Sequence, residues 1–156
     1  MKLNKISSAC ALAFAALFGS SAHAQISGDV IKIGLITDMS GLYADIDGPA
    51  GAEAIKMAIA DMGGAINGKK IELLVADHQN KADVAAAKAR EWFDTQGLDM
   101  LIGGTSSGTN LAMAKIALEK KKAFISVGAA TSAFDARHPD TKLPQAKLIF
   151  LNGDPR

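Results

Sequence analysis

Six consecutive residues, Gly103-Gly104-Thr105-Ser106-Ser107-Gly108, set glycines beside three hydroxyls, and that mixture suits three chemistries. Gly103 and Gly108 have the spacing of a phosphate-cradling loop. The Lys and hydroxyl residue that must follow the second glycine are replaced by Thr109 and Asn110, so no side-chain cation would meet a phosphate. Gly104 to Gly108 also has the G-x-S-x-G form of a nucleophile elbow, centred on Ser106, with Asp135 and His138 downstream in hydrolase order. Those two stand three apart in one polar stretch, whereas a base and its orienter come from separate loops. The third chemistry is binding. The hydroxyls of Ser106 and Ser107, with the free N–H groups of a following helix, suit an anion such as a carboxylate. A serine at that place serves equally well as a helix N-cap. A second hydroxyl loop, Ala129-Ala130-Thr131-Ser132, adds polar groups that can converge on a small ligand.

Other polar residues carry weaker patterns. His78 lies between Asp77 and Gln79 with no second His at metal-ligand spacing, which reads as an ordinary loop histidine. Asp38, Asp45 and Asp47 lack the glycine and terminal Glu of a calcium loop. Tyr43 suits stacking on a ligand or an exposed turn. Trp92-Phe93, at helical spacing, reads as core. No metal or cofactor is expected, and no G-x-G-x-x-G follows the first strand to bind a dinucleotide.

Elements that alternate along the chain must position these loops. Ile31 to Ile36 is a nearly continuous apolar run, as in a strand covered on both faces. Thr37 to Asp47 is loop-like. Gly48-Pro49 opens a helix whose residues Ala52, Ile55, Ile59 and Met62 make one apolar stripe, and Gly63-Gly64 stops it. Ile66-Asn67-Gly68-Lys69 turns into a strand at Ile71 to Val75, and Asp77 to Asn80 is the next loop. Lys81 to Thr95 reads as a helix with Ala82, Ala85, Ala89 and Trp92 on one face. A third strand at Met100 to Ile102 leads through the glycine loop to a helix at Thr109 to Lys121, with its basic end at the negative pole. Ala123 to Ser126 is a fourth strand and Leu148 to Leu151 a fifth. This alternation implies an α/β fold with a doubly wound parallel sheet. Ligands bind such sheets at the carboxyl ends of the strands, which is where all four candidate loops fall.

Composition narrows the class. Of 156 residues, 17 are Lys or Arg and 16 Asp or Glu, so the charge is nearly balanced and carries no footprint for nucleic acid. A hydrophobic share of 49% with only 4 Pro argues against disorder. Lys2 and Lys5, the apolar run Ala9 to Phe18 and the closing Ala22-His23-Ala24 make a secretory leader. Cleavage after Ala24 leaves residues 25–156 as the mature domain. The single Cys10 lies in the leader, before most of its apolar run, so the mature chain relies on a packed core rather than disulfides.

The chain resembles the type 1 periplasmic solute-binding proteins of ABC importers, in the leucine/isoleucine/valine-binding branch. The matching stretches are Ile31 to Asp45 (IKIGLITDMSGLYAD), Asn67 to Ile71 (NGKKI), Ala76 to Lys81 (ADHQNK), and Lys120-Lys121-Lys122 leading to Ser126 to Ser132 (SVGAATS). Their order and spacing carry the likeness. It implies a two-lobed receptor that closes on its ligand and docks on a membrane permease. Ser107 becomes the hydroxyl donor to a ligand carboxylate, with Ser106 as the near alternative. Ala129 would offer its backbone, Thr131 its hydroxyl, and Tyr43 would border the ligand side chain. Family members often carry an acidic residue where this chain has Gly103. They also run to well over twice this length, so residues 25–156 correspond to part of the N-terminal lobe. The expected function is an exported substrate-binding component for amino acids of the branched-chain type, or related small carboxylates or amides, and not an enzyme. A ligand-sensing module of the same fold is the alternative in signalling, and a serine hydrolase using Ser106 the alternative in catalysis.

Overall fold

The computed structural model describes Ile26 and residues 28–134. The leader, Asp135, His138 and the strand expected at Leu148 to Leu151 lie outside the described residues. In chain order the elements are β1 (Val30–Thr37), α1 (Ala44–Asp47), α2 (Pro49–Asp61), β2 (Ala65–Ile66), β3 (Lys69–Asp77), α3 (Ala82–Thr95), β4 (Met100–Gly103), α4 (Ser107–Glu119) and β5 (Ala123–Ser126). A 3-10 turn at Ser132–Phe134 follows.

The strands form one sheet in the order β2-β3-β1-β4-β5. β1 pairs in parallel with β3 and β4, and β4 with β5, whereas β2 and β3 form an antiparallel hairpin. The chain first steps from β1 to β3 and then back across β1 to β4. Right-handed crossovers therefore send α2 to one face and α3 and α4 to the other. The reversal lies between β1 and β4, so the loops leaving those two strands flank the crevice of a doubly wound sheet.

Sequence dictates how each face packs. Ala85, Ala89 and Trp92 of α3 meet Met113, Ala114 and Ala117 of α4 over Ile36, Leu101 and Phe124. The small alanines let the helices lie close to the sheet. Gly34 interrupts the apolar run of β1 because the Trp92 ring lies on it; a Cβ there would stand 2.8 Å from two ring carbons. On the other face Ala52 and Ile55 of α2 cover Ile33, Leu35, Leu73 and Ile102, with Met100 and Ile125 only half-buried.

Some details depart from the sequence expectation. Met62 does not join the stripe of α2. The helix stops at Asp61, Met62 caps it, and its side chain is 59% exposed. Ala82, the first residue of α3, is likewise exposed. The Asn67-Gly68 turn, with both residues at positive φ, closes a true hairpin and so adds β2, which was not expected. The loop after β1 contains the single turn α1. α4 begins at Ser107, two residues before Thr109, and ends at Glu119, so Lys120 to Lys122 lie past its last turn.

Candidate functional site

Four loops meet at the carboxyl ends of the strands, and three carboxylates fasten them. Asp38, fully buried, accepts the N–H groups of Gly41 at 2.8 Å and Tyr43 at 3.0 Å. This curls the loop after β1 back on itself and fixes the backbone beside the half-buried Tyr43. Asp47, at the end of α1, accepts the Thr37 hydroxyl at 3.0 Å with one oxygen and the Thr105 hydroxyl at 2.8 Å with the other. It thereby ties the loop after β1 to the loop after β4, across the reversal in strand order. Gly104 runs so close beneath this tie that a Cβ would stand 2.2 Å from Thr37 Oγ1. Asp77 accepts the Ser40 hydroxyl at 2.6 Å and the N–H groups of Gln79 at 2.7 Å and Met39 at 3.1 Å. Its partial burial pulls the carboxyl pKa up, but those three hydrogen bonds outweigh it and hold the value below the ordinary carboxylate range.

His78 is not an ordinary loop histidine. It is fully buried, and both ring nitrogens are engaged. Nδ1 accepts the Asn80 N–H at 2.9 Å, and Nε2 lies 3.1 Å from Thr109 Oγ1. Since Nδ1 must carry a lone pair, the proton belongs on Nε2 and is donated to Thr109. The Thr109 hydroxyl passes its own proton to the Ser106 carbonyl at 3.0 Å. Burial pushes the His78 pKa down, against the opposing pull of Asp38, Asp77 and Asp47.

One oxygen each of Asp38 and Asp77 and a nitrogen of His78 lie within 4.8 Å of one another. Nδ1 of the ring already accepts the Asn80 N–H and Nε2 carries the proton given to Thr109, so His78 has no lone pair to offer a resident metal in this arrangement. Asp45 is exposed and takes no part.

The glycine loop after β4 is built to leave a helix start open. Ser106 occupies the N-cap position of α4 but makes no side-chain cap. Its hydroxyl, on a residue only 5% exposed, turns instead to Asn80 Oδ1 at 2.7 Å. The first-turn N–H groups of Ser107, Gly108 and Thr109 have no intrahelical acceptor by the geometry of a helix end, and the positive pole of α4 lies there. Ser107, half-buried, keeps its hydroxyl without a partner among the described residues. Asn110, one turn on, braces the loop from inside by donating its amide to the carbonyls of Gly104 and Ser106, each at 2.7 Å. A side chain at position 103 has no room here. A Cβ on Gly103 would stand 2.2 Å from Asn110 Oδ1 and 2.9 Å from Met113.

The loop after β5 lies against this one. Val127 N–H donates to the Gly103 carbonyl at 3.0 Å, and Gly128 packs on Thr105 so closely that a Cβ would stand 2.9 Å from its hydroxyl oxygen. Ala129 is buried in the core, so its backbone is what it can offer a ligand. Thr131 Oγ1 accepts the Ala133 N–H at 3.3 Å, leaving the hydroxyl proton to be donated. The residues singled out in the sequence thus fall into two groups. Ser107, Ala129, Thr131 and Tyr43 lie on neighbouring loops at one end of the sheet, while Ser106 is turned inward to Asn80. An amide oxygen is no general base, so among the described residues Ser106 has no partner that would make it a nucleophile.

A family model described as periplasmic binding protein matches residues 30–144, which takes in the whole sheet and all four loops. The chain belongs to the periplasmic binding protein family. It is 64% identical to a periplasmic binding protein from Burkholderia mallei over 67% of this chain and 28% of that one, with a TM-score of 0.65. It is 41% identical to a branched chain amino acid ABC transporter periplasmic ligand-binding protein from Burkholderia xenovorans, over 65% of this chain and 27% of the other, TM-score 0.63. A solute binding protein of an ABC transporter from Rhodopseudomonas palustris, in complex with 3,4-dihydroxybenzoic acid, is 32% identical over 67% of this chain and 29% of its own, TM-score 0.61. The fold is the type 1 fold of those receptors, and the chain spans less than a third of the length of each. Comparison with curated proteins gives no match.

Sequence reasoning missed His78, Asn80, Thr105, Asp47 and Asn110 as builders of the site. The signal was there in part: Asp77-His78-Gln79-Asn80 is a polar run leaving a strand at the binding end of the sheet. Its Gln79 and Asn80 both adopt positive φ, a conformation that Asn tolerates and most residues avoid.

Proposed function

We propose that residues 25–156 supply one wall of the binding site of an exported solute-binding component of an ABC importer. Its ligands are amino acids of the branched-chain type or related small carboxylates or amides. Residues 1–24 direct it to the periplasm, with cleavage after Ala24, and a membrane ABC permease is its partner. Ser107 donates its hydroxyl to the ligand carboxylate, joined by the open N–H groups of α4, by the Ala129 backbone and by the Thr131 hydroxyl. Tyr43 borders the rest of the ligand, and Ser106 shapes the loop.

The observation that carries this reading is the uncapped start of α4. A serine stands at the N-cap yet spends its hydroxyl elsewhere, leaving donors and a positive pole facing the crevice. The names of two relatives support the same chemistry, since branched chain amino acids and 3,4-dihydroxybenzoic acid have a carboxylate in common.

Amide chemical-shift titration tests it. Leucine or 3,4-dihydroxybenzoate should move the signals of Ser107, Gly108, Thr109 and Ala129 to Thr131, and leucinamide should move them much less. Ser107→Ala should weaken the carboxylate response about tenfold, as for loss of one hydrogen bond to a charged group. Shifts scattered elsewhere would remove the assignment, and equal shifts with leucinamide would remove the carboxylate as the group that Ser107 and α4 recognise.

A further inference from the structure

The loop that follows β3 bears on the one that follows β4 through a single buried ring. His78 touches the start of α4 by two routes. Nε2–H reaches Thr109 Oγ1, whose proton continues to the Ser106 carbonyl. Nδ1 holds the Asn80 N–H, and the side chain of the same Asn80 takes the Ser106 hydroxyl. Both routes end on Ser106, the residue whose diversion leaves the first turn of α4 open. Gln79 and Asn80 pass through positive φ to make this possible, a conformation that persists only where surrounding contacts hold it.

We propose that His78 is the positioning residue of the carboxylate-binding loop, holding Ser106 and the first turn of α4 in their open arrangement through its neutral, Nε2-protonated ring, so that protonation of that ring loosens the loop and weakens binding. The proposal rests on the ligand reading given above and adds its control. A proton arriving at Nδ1 turns an acceptor into a donor and sets it against the Asn80 N–H, so the Asn80 route must break. Charged groups facing the ring are Asp38 from the loop after β1, Asp77 from the end of β3 and Asp47 from α1. From α4 the facing group is the uncharged Thr109. The three carboxylates favour the protonated ring and full burial opposes it, with burial dominant. If loosening takes up one proton, affinity falls by up to about tenfold per pH unit below the midpoint of the ring.

The test is a pH titration of the nitrogen-15-labelled full chain, first without ligand. The amides of Asn80 and of Ser106 to Thr109 should move together, with the midpoint of the His78 ring signals. In His78→Asn, whose amide oxygen can still accept the Asn80 N–H but cannot be protonated, that movement should vanish while the spectrum stays dispersed. Asn80→Gly keeps the ring and the backbone N–H, in a conformation glycine adopts freely, but removes the side chain that takes the Ser106 hydroxyl, so Ser106 to Thr109 should stop following the ring while the amide of residue 80 still does. A ring that titrates while the α4 amides stay still would overturn the proposal, as would the same movement in His78→Asn. Should His78→Asn not fold, α4 amides in Asn80→Gly that follow the ring as before would overturn it. Leucine or 3,4-dihydroxybenzoate is then added at each pH, and the wild-type response should weaken on acidification while that of His78→Asn stays level. A response of equal strength at every pH in the wild type would overturn the control of binding. If neither carboxylate moves these amides at any pH while they still follow the ring, the coupling is supported and the ligand reading alone falls.

Discussion

Asp38 and Asp47 stand in the sequence beside Asp45 like an incomplete cation loop, yet in the fold they act with Asp77 as fasteners, because each carboxylate oxygen meets an N–H or O–H that needs an acceptor. Asp47 is the most exposed to test, since its two oxygens take hydroxyls from different loops. Asp47→Ala should cost about 2 kcal/mol in urea denaturation, within the range for losing hydrogen bonds to a charged acceptor, and Asp47→Asn should recover part of it. No loss in either variant would show that the tie contributes little. The acid response is set at the same scale. His78 has a folded pKa below its ordinary 6.5, so its contribution to stability is complete above about pH 6.5. That contribution is lost as the pH falls from there through the folded value. Asp77, below its ordinary 3.8, contributes above about pH 4 and loses that contribution as the pH falls through its own folded value. Denaturation midpoints should therefore decline in two stages, and His78→Asn should remove the upper one. A midpoint level between about pH 7 and pH 5 would contradict the burial of a neutral ring.

At the scale of elements, the alternation of strand and helix was legible because each element carries its own period and stop signal. Ile31 to Ile36, the alanine and tryptophan face of α3 and the Gly63-Gly64 stop all needed only local rules. What stayed hidden depends on contacts between distant residues. Nothing near Ser106 says that its hydroxyl will choose Asn80, 26 positions away, over the helix it begins, and that choice decides whether α4 is capped or open. Nothing near His78 tells that Thr109 will cover it. Met62 matched the stripe of α2 but fell one residue past the helix end, where spacing no longer assigns a face. Gly34 lies between: a glycine in a strand signals close approach, but the partner, Trp92, comes only with the fold. Gly34→Ala should destabilise by about 1–3 kcal/mol through overpacking against that ring, read as a lower urea midpoint and altered Trp92 fluorescence. An unchanged midpoint would mean that the helix shifts away without loss.

For the whole molecule, the two faces of the sheet are unequally covered. α3 and α4 together shield one face, whereas among the described residues α2 is the helix over the other, and Met100 and Ile125 remain half-buried there. The proposed ligand site is similarly one-sided. Among the described residues its members lie past the ends of β1, β4 and β5, and the chain spans 28% of the length of its 64%-identical relative. A small-molecule site usually buries most of its ligand's surface, and one wall cannot do so. Two or three charge-assisted hydrogen bonds at about 1.5–3 kcal/mol each, set against the cost of immobilising the ligand, leave only a few kcal/mol. On that balance a polypeptide of these 156 residues should bind leucine or 3,4-dihydroxybenzoate with a Kd of about a millimolar or weaker. Calorimetry at high protein concentration measures this directly. A Kd near a micromolar would require several kcal/mol more, and that surplus could only come from a second surface closing over the ligand. The stoichiometry would then tell which, since one ligand per chain assigns that surface to the same polypeptide and one per two chains to a second copy.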